Sequence, residues 1–254
     1  MKILTTGINS GLGRCIYEDI RCLGLGRNTS IEEIERIKND GVETIIHCAF
    51  NSNSQVNLNS LYQYLQDNVL LTKELISFPH KKFIFISSVD VYPKDVNLHL
   101  EDENIDMSAV NSIYGITKLM SESLVKKYCE NYLILRASAM LGKYSRRNSL
   151  IRMIEDTECE LTLSYNSRFN YILHSDILDF IKFSISHDIK GTLNVVSSEN
   201  ITLLEVADML KKTIRFGKYF YDVGNINNSR ISSVFPAFKK SSREIIFEFM
   251  RSKR

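Results

Sequence analysis

The sequence predicts an α/β protein with a doubly wound parallel sheet, in which helices cover both faces of the sheet. Short runs of β-branched and aromatic residues alternate with longer stretches of helical periodicity through the first half of the chain. A glycine-rich turn also lies directly between the first predicted strand and the first predicted helix. Together these two observations favour a parallel sheet over an all-β or all-α arrangement.

The first half of the chain supplies five predicted strands and four predicted helices. The strands are predicted over residues 2–5, 22–26, 43–48, 82–87 and 132–136. The helices are predicted over residues 12–21, 31–39, 58–77 and 112–130. A single helix separates the second strand from the third, so we expect a short connection there.

The regular alternation of strand and helix patterns ends after Gly142. Residues 143–170 are charged and weakly periodic, whereas predicted strands at 171–173 and 192–196 flank a helix at 175–186, where we expect the sheet to resume. A helix is predicted over residues 202–215 and a final one over 242–250, with irregular chain between them. We therefore expect a sheet domain of residues 1–142 and 171–198, and a small lobe of residues 143–170 and 199–254.

Composition excludes several classes of protein. The chain has 254 residues, 44% hydrophobic and 24% charged, and its formal net charge of +2 is spread without a long block of one sign, so no nucleic-acid partner is expected. No apolar run approaches the roughly 20 residues of a membrane helix, and the short apolar run at residues 1–7 has no cleavage region, so we expect no secretion signal. The five scattered cysteines and five unpaired histidines predict a reduced, soluble, cytoplasmic protein with no metal site.

The glycine turn predicts a dinucleotide site. Glycines let the backbone approach a pyrophosphate, and the N-terminus of the following helix offers free N–H groups and a favourable dipole. The turn lacks a Gly-Lys-Ser/Thr ending, which argues against a nucleotide triphosphatase; the alternative is a purely structural turn. The predicted cofactor-binding residues in this turn are Gly7, Asn9, Ser10, Gly11, Leu12 and Gly13.

The residues after the second strand bear on the choice of cofactor. An acidic residue there usually binds the ribose of NAD, whereas a basic one accommodates the additional phosphate of NADP. This chain has Arg27 and no carboxylate at that point, so NADP is favoured over NAD, with Arg14 as a second phosphate partner. The alternative for both arginines is an ordinary solvated side chain.

A tyrosine and a lysine four residues apart open the predicted helix 112–130. This spacing puts Tyr114 and Lys118 on one face, where an ammonium and a nicotinamide cation would favour the phenolate and make proton exchange practicable. Ser88 ends a predicted strand at the carboxyl edge of the sheet, where its hydroxyl could bind the same substrate oxygen. The alternative for the Tyr–Lys pair is an exposed helix face.

The chain resembles the short-chain dehydrogenase/reductase superfamily, and more closely its extended branch of NAD(P)-dependent sugar-nucleotide epimerases, dehydratases and ketoreductases. The matching residues run in order through 6–13, 46–49, 68, 85–92, 114–118, 135–136 with 142, 171–172 with 176, and 191–195 followed by 201–202 and 205. The resemblance implies a Rossmann-like doubly wound parallel sheet with a small C-terminal substrate lobe. It also implies that Tyr114 is the acid/base, Lys118 its electrostatic partner and a ribose ligand, and Ser88 a donor to the substrate oxygen, with Ala49 and Asn68 along the cofactor.

The same resemblance implies a nucleotide-linked sugar as substrate. The wide separation of Ser88 and Tyr114 is typical of the extended branch, although Ser10 stands where that branch commonly has glycine. Its dehydratases carry an acid and a base directly after the serine position, where this chain has Val89 and Asp90, so dehydration is disfavoured. A 4-ketoreductase or an epimerase remains, and the candidate diphosphate contacts are Arg147, Arg152, Arg168 and Arg230.

Two other functions stay open on the sequence alone. One is a reductase of a non-nucleotide carbonyl compound, and the other is a catalytically silent NAD(P)-binding regulator. Regulators of this type usually lose the tyrosine or the lysine, and both are present here. A homodimer through helices 58–77 and 112–130 is a further hypothesis, because those helices pair subunits in many relatives.

Overall fold

The computed structural model describes residues 1–53 and 55–253. Its strands are β1 (Ile3–Thr6), β2 (Leu23–Leu25), β3 (Thr44–His47), β4 (Lys82–Ser88), β5 (Leu98–His99), β6 (Tyr132–Ala137), β7 (Ala139–Leu141), β8 (Cys159–Glu160), β9 (Arg168–Phe169), β10 (Tyr171–Leu173), β11 (Gly191–Val195), β12 (Ile201–Thr202), β13 (Ile214–Arg215) and β14 (Asn225–Ile226). Its α-helices are α1 (Gly11–Asp19), α2 (Ile31–Asp40), α3 (Leu58–Leu65), α4 (Leu71–Ile76), α5 (Ile113–Tyr128), α6 (Ser149–Glu155), α7 (His174–Ser186), α8 (Leu203–Leu210), α9 (Ser229–Val234) and α10 (Ser242–Ser252).

Six strands form the central sheet in the order β11-β6-β4-β3-β1-β2, and every neighbouring pair is parallel. The chain therefore starts inside the sheet, moves outward to β2, and returns past β1 to add the other strands on the opposite side. This doubly wound order confirms the predicted fold class. Its switch point lies between β1 and β3, where the following loops diverge and leave a crevice for a ligand.

Alternating side chains of the strands fill two separate layers of core. Leu4, Ile45, Phe83, Phe85 and Ile134 face one layer, which α2, α4 and α5 cover. The residues between them face a larger cluster that also includes side chains of α1, α7, α8 and α10. Because both faces are covered, β4 is buried along its whole length, as parallel strands in this architecture require.

Two expectations for the second half of the chain were wrong in detail. The strand at 171–173 exists, but it pairs with β7 in a separate two-stranded ladder, and β11 alone extends the central sheet. The predicted helix over 202–215 ends at Leu210, because Lys211 adopts a left-handed conformation (φ 52°). Residues Ile214 and Arg215 then pair with β8 instead of continuing the helix.

The long helical segment from Leu58 to Ile76 is interrupted by one π-helical turn at Gln66–Leu70. Such turns insert an extra residue into a helix and often occur at functional sites. Asn68 lies in this turn and is completely buried. Over the described ranges, no helix is long and apolar enough to cross a membrane.

Candidate active site

Most of the predicted site residues come from four segments at the carboxyl edge of the sheet. The glycine turn follows β1, Ala49 follows β3, Ser88 ends β4, and Tyr114 and Lys118 lie in the first turns of α5. Because β1, β3 and β4 are neighbours in the sheet, their ends meet at one edge beside the switch point.

A chain of hydrogen bonds joins the ends of β1 and β3. Thr6 Oγ1 accepts hydrogen bonds from the backbone N–H groups of Cys48 and Ala49, at 3.1 and 3.0 Å. Its own proton is therefore directed to His47 Nδ1, 2.8 Å away, and His47 Nε2 lies 3.0 Å from Thr72 Oγ1. Burial, assisted by the charge of Lys118, lowers the pKa of His47 to about 3, so this imidazole is neutral and its role is structural.

Two glycines keep the turn after β1 close to its neighbours. Gly7 has φ +74°, and a Cβ there would lie 2.9 Å from the backbone nitrogen of Ala49. A Cβ on Gly13 would lie 2.5 Å from the carbonyl oxygen of Gly7, so helix α1 packs directly on the turn. This cradle is the local geometry that a backbone–pyrophosphate contact needs.

A segment after β7 crosses the same helix end. The N–H of Gly11, the first of α1, donates to the carbonyl oxygen of Tyr144 at 3.0 Å, and the Tyr144 hydroxyl contacts Glu18. The Arg14 guanidinium lies over the Tyr144 ring, 4.2 Å from its centroid, and pairs with Glu18 at 2.9 Å. Arg14 is thus already held by a carboxylate and an aromatic face.

Lys118 is buried without a carboxylate partner within the described ranges. Its Nζ donates to the carbonyl oxygen of Ile86 at 2.6 Å and lies 3.6 Å from the centroid of the Phe50 ring. Burial lowers the pKa of Lys118 to about 7, against the opposing influence of Cys48 and Glu122. The ammonium is therefore close to its titration point at neutral pH.

Tyr114 lies on the same face of α5, with the centroid of its ring 5.7 Å from Lys118 Nζ. Burial and the nearby charge of Asp90 raise the pKa of Tyr114 well above its usual value, while a hydrogen bond with Ser88 acts in the opposite direction. The phenol is consequently protonated at neutral pH in the free chain. Ser88, Tyr114 and Lys118, selected from separate sequence segments, are brought together by the fold.

Asp90 lies in the candidate site, where the sequence analysis assigned it no role. Its backbone N–H donates to Ser88 Oγ at 3.1 Å, and its carboxylate lies 2.9 Å from Lys94 Nζ. Tyr221, from the C-terminal part of the chain, donates its hydroxyl to the same carboxylate at 3.4 Å. The loop after β4 and the segment before β14 therefore meet beside Tyr114. Asp90 and Tyr221 are 131 positions apart in the chain.

Asn68 holds the loop that carries Ala49. Its side-chain amide accepts from the backbone N–H of Asn51 at 2.7 Å and donates to the carbonyl oxygen of the same residue at 3.1 Å. Both ends of the amide are used in this contact. Within the structure, Asn68 acts on the loop after β3.

The predicted arginine ligands differ in their environments. Arg27 is exposed after β2 and makes no ion pair with any described residue. The four candidate diphosphate contacts each pair with a carboxylate: Arg147 and Arg152 with Asp156, Arg168 with Asp222, and Arg230 with Asp102. Arg146, which was not predicted, contacts Ser52, and its charge lowers the pKa of Tyr114 slightly.

Comparisons with known proteins point to one family. The sequence profile of the NAD dependent epimerase/dehydratase family matches residues 20–195, a span that starts after the glycine turn. None of the curated proteins matches the chain.

Solved structures of similar fold span almost the whole chain. MoeE5, solved with UDP-glucose and NAD, has a TM-score of 0.82 and 19% identity, covering 100% of this chain and 99% of its own. UDP-glucuronic acid 4-epimerase from Bacillus cereus has a TM-score of 0.78 and 18% identity, with complete coverage of both chains. dTDP-4-dehydrorhamnose reductase from Bacillus anthracis, solved with NADP, has a TM-score of 0.81 and 18% identity, covering 99% of each. At these identities the likeness establishes the fold.

Proposed function

Because the chain belongs to the NAD dependent epimerase/dehydratase family, we propose that it is an NAD(P)-dependent oxidoreductase acting on a nucleotide-linked sugar. The reaction is hydride transfer at a sugar carbonyl or hydroxyl, as in a 4-ketoreductase or an epimerase, with Tyr114 as the acid/base. One observation carries this proposal: a phenol, a buried ammonium and a serine hydroxyl converge at the carboxyl edge of the sheet, next to a glycine cradle.

Each of the three side chains has a separate task. Tyr114, protonated in the free chain, donates its proton to the carbonyl oxygen of a sugar that is being reduced, or recovers it in the reverse direction. The Lys118 ammonium stabilises the phenolate that remains, because a nearby positive charge lowers the free energy of the charged form. Ser88 donates a hydrogen bond to the substrate oxygen and orients it toward the phenol.

The residues present fit a dinucleotide. Gly7 and Gly13 have no side chain where the turn packs against Ala49 and helix α1, and helix α1 directs its N-terminus toward that turn. Asn9, Ser10, Gly11 and Leu12 would complete the diphosphate site, and Ala49 and Asn68 would lie along the cofactor. The cofactor, when bound, supplies or accepts the hydride. A diphosphate at Gly11 would share its N–H with the Tyr144 carbonyl or displace that carbonyl.

NADP is the preferred cofactor in this proposal. Arg27 is an exposed cation without an ion-pair partner among the described residues, located where the adenosine ribose lies in such folds. Arg14 is a weaker candidate, because Glu18 already neutralises it. The four arginines proposed for a substrate diphosphate are likewise paired with acids, so they contribute only if those pairs open.

The substrate side of the site is proposed to come from residues 143–170 and 199–254. Tyr221 supports this division, since it reaches Asp90 from the C-terminal part of the chain.

A cytoplasmic location is also proposed, because the five cysteines are free in the described part of the chain. For a homodimer, the supporting observation is that Leu58 and Tyr62 on α3 are 88% and 69% exposed; light scattering of Tyr62→Lys tests it, and an unchanged mass would reject it.

The decisive experiment compares Tyr114→Phe with the wild type on nucleoside-diphosphate 4-keto hexoses and NADPH. We expect turnover to fall by about 10²-fold or more, the usual effect of removing a positioned acid/base, while cofactor binding is retained. Tyr128→Phe, an exposed tyrosine on the same helix, is the matched control and keeps full activity. Equal rates for wild type and Tyr114→Phe would reject the assignment, and turnover of only non-nucleotide carbonyls would replace the substrate class.

A further inference from the structure

The aromatic ring of Phe50 stands directly against the Lys118 ammonium. Phe50 follows Ala49 in the loop after β3, and its ring centroid lies 3.6 Å from Lys118 Nζ. The same ring packs perpendicular to the ring of Tyr114, with centroids 5.6 Å apart and an interplanar angle of 88°. One side chain therefore contacts both groups of the proposed proton-transfer pair.

The charged groups around Lys118 give the ammonium little other support. Glu122, on the next turn of α5, is engaged by Arg136 from β6. His47 and Cys48 approach from β3, and burial keeps the first neutral and raises the pKa of the second to about 12. Within the described ranges, the ammonium is left with one carbonyl oxygen and three aromatic rings: Phe50, the more distant Phe85 at 4.8 Å, and Tyr114 at 5.7 Å.

We propose that Phe50 is a positioning residue for the proton transfer: its ring stabilises the charged form of Lys118 and fixes the ring of Tyr114 beside it. The inference rests on the proposed function for the use made of this pair, but not for the contact itself. A cation above an aromatic face is attracted by the ring quadrupole, and the attraction is larger where water is excluded. Here the cation is buried and contacts no carboxylate of residues 1–53 or 55–253, so the ring replaces the counter-ion.

The first test measures Lys118 directly and needs no turnover. In protein labelled with ¹³C at lysine Cε, the Lys118 resonance is assigned by its loss in Lys118→Met and is followed by NMR from pH 5.5 to 10. Phe50→Leu keeps the apolar volume without the aromatic face, and we expect it to lower the pKa of Lys118 by about one unit. Phe50→Tyr restores the face and the wild-type titration. Phe220→Leu, an exposed phenylalanine elsewhere in the chain, is the control.

The second test is the pH profile of kcat/KM. Activity requires charged Lys118, so the alkaline limb should move about one unit lower in Phe50→Leu and return in Phe50→Tyr. Circular dichroism and thermal melting verify folding, and Phe50→Met serves in place of a leucine variant that fails to fold. A Lys118 titration that is the same in Phe50→Leu as in the wild type would overturn the proposal, as would equal shifts for leucine and tyrosine. Equal turnover of Tyr114→Phe and the wild type would instead refute the proposed function, and the NMR result on Lys118 would still stand.

Discussion

Glu122 accepts hydrogen bonds from both Nε and Nη2 of Arg136, at 3.1 and 2.8 Å, and neither side chain is more than 2% exposed. Glu122 lies one turn beyond Lys118 on α5, and Arg136 is on β6. Ser87 on β4 also donates to Glu122, at 2.6 Å. The ion pair therefore fixes the helix that carries the proposed acid/base against two strands of the sheet.

Breaking this pair should be costly, because Arg136 would remain buried with an uncompensated charge. We expect Glu122→Gln to lower the free energy of unfolding by roughly 3–5 kcal/mol in urea titrations. Burial would raise the pKa of Glu122, but the hydrogen bonds and charge of Arg136 outweigh it and hold that pKa below its usual value. The contribution is therefore full above about pH 4.3 and is lost as the pH falls further. Glu130→Gln, exposed after the end of the same helix, should change stability by less than about 0.5 kcal/mol.

Buried neutral histidines predict a second acid effect, which begins at higher pH. Burial lowers the pKa of His47 to about 3 and that of His174 to about 4. In the unfolded chain both rings titrate with the ordinary histidine pKa of about 6.5. The unfolded state therefore binds protons first as the pH falls below that value. Between pH 7 and 5 each histidine should remove about 2 kcal/mol of stability.

The measurement is the unfolding free energy as a function of pH for wild type and His174→Gln. The variant should lose about half of the slope between pH 6.5 and 5 that the two histidines produce. Ser184→Ala, at a buried position that does not titrate, should lower stability evenly across the range. Identical slopes for wild type and His174→Gln would show that this ring is not held neutral.

The hydrogen-bond chain at Thr6 gives a prediction for the cofactor loop. Thr6→Val removes the acceptor for two backbone N–H groups and the donor to His47, so we expect a loss of about 2 kcal/mol and weaker NADPH binding. Thr5→Val is the matched control on the same strand. Its hydroxyl accepts from the weak donor Cys22 Sγ at 3.4 Å, so its loss should be smaller and cofactor affinity unchanged. Equal effects of the two substitutions would contradict this account.

Most strands of the central sheet could be predicted from the sequence, because the patterns that specify them lie within a few adjacent residues. The continuous apolar run of β4 and the glycine turn specify a strand and a strand–helix junction from adjacent residues, and the structure has both within a residue or two of the expected bounds. The placement of Tyr114 and Lys118 on one helix face could be predicted for the same reason, since a spacing of four residues on one helix fixes their relative position.

Long-range contacts account for what the sequence did not reveal. β10 pairs with β7, more than 30 residues earlier in the chain, and does not join the central sheet. The periodicity of a strand does not specify which strand it pairs with. Asp90 appeared as a departure from a motif, and its contact with Tyr221 depends on chain 131 positions away. Phe50 directly follows the predicted segment 46–49. Its contact with the Lys118 ammonium depends on the folded chain and could not be predicted from neighbouring residues.

The exposed Arg27 makes the cofactor preference testable by binding alone. If it receives the additional phosphate of NADP, Arg27→Ala should raise the Kd of NADPH by about tenfold and leave that of NADH within about twofold, since only one cofactor carries the group. Arg14→Ala is the contrasting variant. Its guanidinium already pairs with Glu18, so removing it should affect both cofactors alike. Nicotinamide fluorescence at fixed ionic strength measures both constants, because salt screens an exposed charge pair. A loss of NADH affinity in Arg27→Ala equal to the loss of NADPH affinity would mean that the side chain supports the loop and does not select the phosphate.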